Sequence, residues 1–212
     1  MSYRPILISA VFLFLFAVTG SGLVSFTHES TAERIADNQR KALLKSLNEV
    51  VTPDRYDNNI FHDVVYAQNS ELLGTDEPVP VYRARKGGWP VAAVLAPVAP
   101  DGYNGAIRLL IAINLDGTLA GVRVVEHRET PGLGDGIEAE RSGWILGFNS
   151  KSLNNPSQKD WKVKRDGGIF DQFTGATITP RAVVKAVKEA LIYYQLHGHK
   201  VFAQDPRKPA DS

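Results

Sequence analysis

The stretch 106–126, AIRLLIAINLDGTLAGVRVVE, decides the fold. Two runs rich in β-branched and aliphatic residues, Ala106 to Asn114 and Thr118 to Glu126, flank Leu115-Asp116-Gly117. Asp-Gly between such runs predicts a hairpin, because glycine takes the positive φ that a tight turn demands and aspartate bonds its own backbone. Upstream, Val79 to Arg83 and Pro90 to Val98 have the same composition and extend the antiparallel sheet. Between Tyr56 and Pro80 the pattern is mixed. Asp57-Asn58-Asn59 reads as a turn and Gly74-Thr75-Asp76-Glu77-Pro78 as a loop, with a short helix or strand between them.

Downstream of the hairpin, His127-Arg128-Glu129-Thr130-Pro131-Gly132-Leu133-Gly134-Asp135-Gly136 is too rich in Pro and Gly for regular structure. Ile137 to Trp144 predicts a short helix, and Trp161-Lys162-Val163 a short strand before Asp166-Gly167-Gly168. The last strong helix starts at Pro180, which suits a first helical position, with Thr179 as its N-cap. Val183, Val187, Ala190, Leu191 and Tyr194 then recur at helical spacing, and Gly198 is a natural end. The tail beyond it contains Pro206 and Pro209 and is expected to be loose. A hairpin-based antiparallel sheet packed with this helix makes the class α+β.

At the other end no charge occurs from Pro5 to Thr27, and Ile6 to Phe26 has the roughly 20 apolar residues that cross a bilayer. A cleaved signal peptide is the alternative, but apolar Leu23, Val24 and Phe26 run past any cleavage site. Arg4 ahead of the span biases the N-terminus to the cytoplasm and the rest outward. Ser30 to Val50 lacks Gly and Pro and reads as an amphipathic helix. The expected organisation is a cytoplasmic start (1–5), a transmembrane helix (6–26), a helical connecting region (27–78), a folded domain (79–198) and a tail (199–212).

With 24 Lys+Arg against 23 Asp+Glu in 212 residues, nothing suggests a nucleic-acid footprint. The chain has no cysteine, which excludes disulfides, thiolate catalysis, iron–sulfur clusters and Cys-ligated zinc. Any redox chemistry must come from a bound organic cofactor. His197-Gly198-His199 has no neighbouring carboxylate and reads as solvated, so no metal site is assigned. Trp89, Trp144 and Trp161 read as core or interface anchors.

Two segments remain as candidate sites. In Asp171-Gln172-Phe173-Thr174-Gly175-Ala176-Thr177, glycine and alanine let the backbone approach a ligand, and Thr177 holds a hydroxyl near the positive end of a helix, where phosphate is favoured. Without more, Thr-Gly-Ala-Thr is an ordinary turn and cap. Glu129-Thr130-Pro131-Gly132-Leu133-Gly134 is no dinucleotide fingerprint, because Ile137 stands where the third glycine would fall.

Asp171-x-x-Thr174-Gly175-Ala176-Thr177 resembles the flavinylation motif of membrane-anchored FMN-binding subunits, and His127-x-Glu129-Thr130-Pro131-Gly132-Leu133-Gly134-Asp135 resembles the loop of the same family that lies against the cofactor. Both motifs with one N-terminal span resemble, over nearly the whole chain, the G subunits of the Rnf electron-transport complex. The resemblance implies FMN esterified through its phosphate to Thr177, with Asp171, Thr174, Gly175 and Ala176 completing the recognition sequence. Glu129, Thr130, Gly132, Leu133 and Gly134 would lie against the flavin. It implies electron relay inside a bacterial inner-membrane complex that couples ferredoxin–NAD electron transfer to ion translocation. The implied partners are membrane and iron–sulfur subunits, with a flavin transferase for maturation, and the soluble part is placed in the periplasm. Thr174 and Pro180 stand where the family often has Ser. The C subunits of the sodium-translocating NADH:quinone reductases share both motifs and are the nearer alternative; a non-redox membrane-anchored binding module is the more distant one.

Overall fold

The computed structural model describes residues 3–203, and the chain divides into two compact units, one up to Leu43 and one from Leu44 onward. The first is helical from Arg4 onward. Helix α1 (Arg4–Val50) runs without a break, so the expected span at 6–26 and the expected helix from Ser30 join. No Gly or Pro interrupts 27–50, and along the apolar part the hydroxyls of Thr19 and Thr27 donate to the carbonyls of Leu15 (2.8 Å) and Leu23 (2.7 Å). Such back-bonding satisfies a hydroxyl within the helix itself. Phe12, Leu13, Phe14 and Phe16 are each at least two-thirds exposed, and the helix is long and apolar enough to cross a membrane.

In the second unit, β1 (Val64–Ala67), β2 (Val79–Lys86), β3 (Trp89–Leu95), β4 (Val98–Ala99), β5 (Ile107–Asn114) and β6 (Leu119–Glu126) form one antiparallel sheet. The order is β1-β2-β3-β5-β6; β4 joins the same edge of β5 as β3, pairing Val98 with Arg108 while β3 pairs Ala92 to Leu95 with 111–114. The Asp-Gly hairpin forms as expected. Asn114 N–H donates to the Thr118 carbonyl at 2.8 Å, Gly117 has φ +82°, and the Asp116 carboxylate accepts from both N–H and O–H of Thr118. Helix α2 (Ser70–Leu73) is capped by the Asn69 side chain, which accepts from Leu72 N–H at 2.9 Å, and Gly74 ends it at φ +69°. The sheet begins at β1, fifteen residues before the expected domain start at 79; its run Val-Val-Tyr-Ala has no apolar–polar alternation to signal a strand.

Helix α3 (Ile178–Ala203) differs from expectation at both ends. The Thr177 carbonyl accepts the Arg181 N–H at 3.3 Å, so the helix starts ahead of Pro180, which falls at the third position, where an N–H has no intrahelical acceptor to lose. Gly198 lies within the helix rather than at its end: a Cβ there would stand 2.9 Å from the Tyr194 ring. The last carbonyls are met instead by arginines, with Arg83 Nη1 donating to Val201 O at 3.0 Å and Arg85 Nη2 to Phe202 O at 3.5 Å. Cations suit a helix C-terminus. The expected loose tail is therefore helical to Ala203, and residues 204–212 lie outside the described part. His197 packs its ring against Tyr193 at 4.8 Å.

The regularly spaced Val183, Val187, Ala190, Leu191 and Tyr194 are buried in one core with Leu109, Ile111 and Ile113 of the sheet. The alternate residues Ala92, Val94, Leu110 and Ala112 are buried as well, on the opposite face. There the end of α1 comes close enough that a Cβ on Gly121 would lie 3.0 Å from Val50 Cα. Two local expectations change. Ile137 to Trp144 is not an α-helix but is bracketed by 3-10 turns at Asp135–Ile137 and Trp144–Phe148, and Trp161 to Val163 makes only an isolated bridge from Val163 to Phe170. Trp161 is a core residue at 2 % exposure, whereas Trp89 is 78 % exposed at the start of β3 and anchors nothing in this unit.

Candidate functional site

Three segments meet beside the N-terminus of α3: the loop between β4 and β5, the loop after β6, and the turn before the helix. The loop after β6 is held from below. His127 Nδ1 accepts the Glu129 N–H at 3.0 Å while its Nε2 faces Glu138 Oε1 at 2.6 Å, so this histidine is committed to loop packing. The Thr130 carbonyl accepts from the N–H groups of Leu133 (3.1 Å) and Gly134 (3.0 Å), and Gly132 at the bend has φ +77°. Leu133 is thereby turned outward, 47 % exposed.

The turn Phe173–Ala176 closes through Ala176 N–H to Phe173 O at 3.1 Å, with Gly175 at φ +81°. Its approach is clamped by Trp144, whose indole N–H donates to the Asp171 carbonyl at 2.8 Å and whose ring meets Phe173 and Phe148 edge-on at 5.3 Å. Leu133 Cδ2 would be 3.5 Å from a Cβ on Gly175, which places the two motifs in contact across a cleft of about 230 Å³.

Of the residues singled out in the sequence, Glu129, Thr130, Leu133, Gly134, Gly175, Ala176 and Thr177 line this cleft. Asp171, Thr174 and Gly132 do not. Asp171 is exposed and pairs with Lys164, and Thr174 is exposed at the corner of the turn. The three motif threonines therefore differ sharply. Thr177 is half-buried on the cleft wall at the helix start; Thr179 is buried and donates its hydroxyl to Glu129 Oε2. Arg181, in the first turn of α3, binds Asp166 through two bonds of 2.6 and 2.8 Å and holds that carboxyl below the usual carboxylate range.

Tyr103, Ile178 and Thr179 also line the cleft and were not anticipated. The signal for Tyr103 was present in the sequence as an aromatic between Gly102 and Gly105, but its approach to the other motifs needs the sheet. Larger grooves of about 450 and 580 Å³ lie along α3 and contain no residue of either motif.

The donor set fits an FMN. The first N–H groups of a helix lack intrahelical acceptors and favour a phosphate, and Thr177 stands beside them. Gly134, Gly175 and apolar Leu133 line the same cleft, which leaves an apolar wall of little side-chain bulk for a flat ring. Comparison with known proteins points the same way. Residues 102–192 match the FMN-binding domain family and residues 1–50 the RnfG N-terminal region. The chain is 48% identical over 202 residues to the G subunit of the ion-translocating oxidoreductase complex of Pseudomonas aeruginosa (strain UCBPP-PA14), covering 95% of this chain and 94% of that one. The protein of the same name from Pseudoalteromonas atlantica is 47% identical over 195 residues (92% and 91%), and that from Vibrio cholerae 46% over 196 (92% and 93%).

Proposed function

We propose that this chain, which belongs to the family of G subunits of ion-translocating oxidoreductase complexes, is the electron-carrying flavoprotein of such a complex and holds its FMN through a phosphoester on Thr177. The observation that carries the reading is the convergence of both motifs on one cleft with Thr177 on its wall at the start of α3. When bound, FMN supplies the reversible one-electron chemistry of the relay, in a chain that has no cysteine.

The chain's own residues hold and place it. The N-terminal N–H groups of α3 and the helix dipole offset the charge of the phosphate. The Thr177 linkage ties the tail, and the glycines with Leu133 flank the ring. A cleft of about 230 Å³ is smaller than the roughly 300–1,000 Å³ of sites that enclose a ligand, so part of the cofactor remains outside, accessible to a redox neighbour. Asp171, Thr174 and Gly132, outside the cleft, serve recognition by the flavin transferase and the shape of the loops rather than contact with the ring. In the complex, ferredoxin–NAD electron transfer is coupled to ion movement through membrane and iron–sulfur subunits. The helix α1 anchors the chain in the inner membrane, with the N-terminus cytoplasmic and the second unit periplasmic, following Arg4.

The test is a denaturing gel of native-host protein scanned for flavin fluorescence, followed by peptide mass spectrometry. A phosphoester survives unfolding, so flavin should travel with the peptide containing Thr174 and Thr177. Thr177→Ala and Thr177→Val should abolish the signal, while Thr174→Ala only weakens it. Release of all flavin on denaturation, or a fully labelled Thr177→Ala protein, would overturn the assignment.

A further inference from the structure

Glu129 is the only acidic side chain among the buried polar residues of the described part, at 4 % exposure. Both of its oxygens are engaged. Oε1 accepts the backbone N–H of Asn104 at 3.0 Å, and Oε2 accepts the hydroxyl of Thr179. No ion pair to it is found among the described residues, so two neutral donors hold this carboxylate. Glycines wall it in on both sides: a Cβ on Gly102 would lie 3.0 Å from Oε1, and one on Gly134 would lie 2.8 Å from Glu129 Cβ and 3.1 Å from Thr179 Oγ1. At Gly102 the same Cβ would also meet the Gly105 carbonyl at 2.2 Å, so glycine there serves the backbone as well as the carboxylate.

The bonds reach across the fold. Asn104 belongs to the loop before β5, Glu129 to the loop after β6, and Thr179 to the first turn of α3, so one carboxylate joins the three segments that line the cleft. Thr130 repeats the first link, accepting from Asn104 Nδ2 at 3.0 Å. Thr177 lies two residues before Thr179, beside that joint. We infer that Glu129 is a positioning residue, acting through Thr179 and Asn104 to hold Thr177 in reach of the flavin phosphate, rather than a group that touches the cofactor. This inference rests on the assignment of Thr177 as the attachment residue.

The substitutions separate geometry from charge. Glu129→Gln keeps one acceptor for Asn104 N–H and can donate its amide to Thr179 Oγ1, preserving the joint without the charge. Glu129→Ala removes the joint, Thr179→Val removes the link to α3 alone, and Thr179→Ser keeps it. Full-length variants are produced in the native host with flavin transferase induced, and covalent flavin is followed over time by in-gel fluorescence, with circular dichroism reporting folding. The expected result is attachment at least 10-fold slower for Glu129→Ala and Thr179→Val, and within about 3-fold of wild type for Glu129→Gln and Thr179→Ser.

Folded Glu129→Ala and Thr179→Val proteins labelled at the wild-type rate would overturn the inference while leaving Thr177 as the attachment site. So would a folded Glu129→Gln protein as slow as Glu129→Ala, since charge would then matter and the joint would not. If Glu129→Ala fails to fold, Thr179→Val against Thr179→Ser decides. Absence of covalent flavin from the wild type itself would instead remove the Thr177 assignment.

Discussion

Replacement of Gly134 by alanine tests the crowding around Glu129 without touching a polar group. Gly134 has φ −90°, so alanine brings no backbone strain, and the effect is steric. The added Cβ would stand 2.8 Å from Glu129 Cβ, about 0.7 Å inside the roughly 3.5 Å at which carbon pairs attract. It would also meet Thr179 Oγ1 at 3.1 Å. Neither contact is with the free end of a flexible chain: Glu129 Cβ is fixed to its backbone, and the Thr179 hydroxyl is committed to Glu129. Overpacking of this kind costs about 1–3 kcal/mol. At roughly 2–4 °C per kcal/mol for a chain of this size, Gly134→Ala should melt about 2–12 °C below wild type. The measurement is thermal unfolding of the full-length protein in detergent by near-ultraviolet circular dichroism, with Gly147→Ala, which meets nothing within 4 Å, as the neutral control. Flavin attachment should slow in the same variant, since the displaced side chain is Glu129. A Gly134→Ala protein that melts with the control and is labelled at the wild-type rate would refute the account of a tightly walled carboxylate.

Arg83 is 1 % exposed, pairs with Asp63 and donates to the Val201 carbonyl, so Arg83→Met should cost about 3 kcal/mol, toward the low end for a broken buried pair because Arg85 still holds Asp63; urea denaturation reads it. Glu189 on α3 is held above the usual carboxylate range, chiefly by burial. Its ionised form is therefore disfavoured in the fold; the penalty is full above the raised value, shrinks as pH falls from there, and is gone below the ordinary one. Glu189→Gln should raise the melting temperature at pH 7, with the gain gone by pH 4.

Local sequence was sufficient wherever one segment settled its own structure. Asp116-Gly117 with two β-rich flanks specified the hairpin, the uncharged run to Thr27 the membrane-competent helix, and the 3.6-residue spacing from Val183 to Tyr194 the buried face of α3. The two candidate motifs were legible only through their resemblance to a known family, since on their own they read as an ordinary turn and cap and a strand-ending loop. What sequence left open were contacts between distant segments. β1 exists because β2 pairs with it, from Val64 against Tyr82 to Ala67 against Val79, and its run Val-Val-Tyr-Ala has no apolar–polar alternation of its own. Helix α3 passes Gly198 because Arg83 and Arg85, more than a hundred residues earlier, reach its last carbonyls. Thr174, Thr177 and Thr179 are chemically alike in the sequence; their separation into an exposed corner, a cleft wall and a buried partner of Glu129 comes from the three-dimensional packing. Propensity acts over a few residues, whereas the burial of a carboxylate and the meeting of three loops are decided by the sheet that brings residues 25 to 75 positions apart to one place.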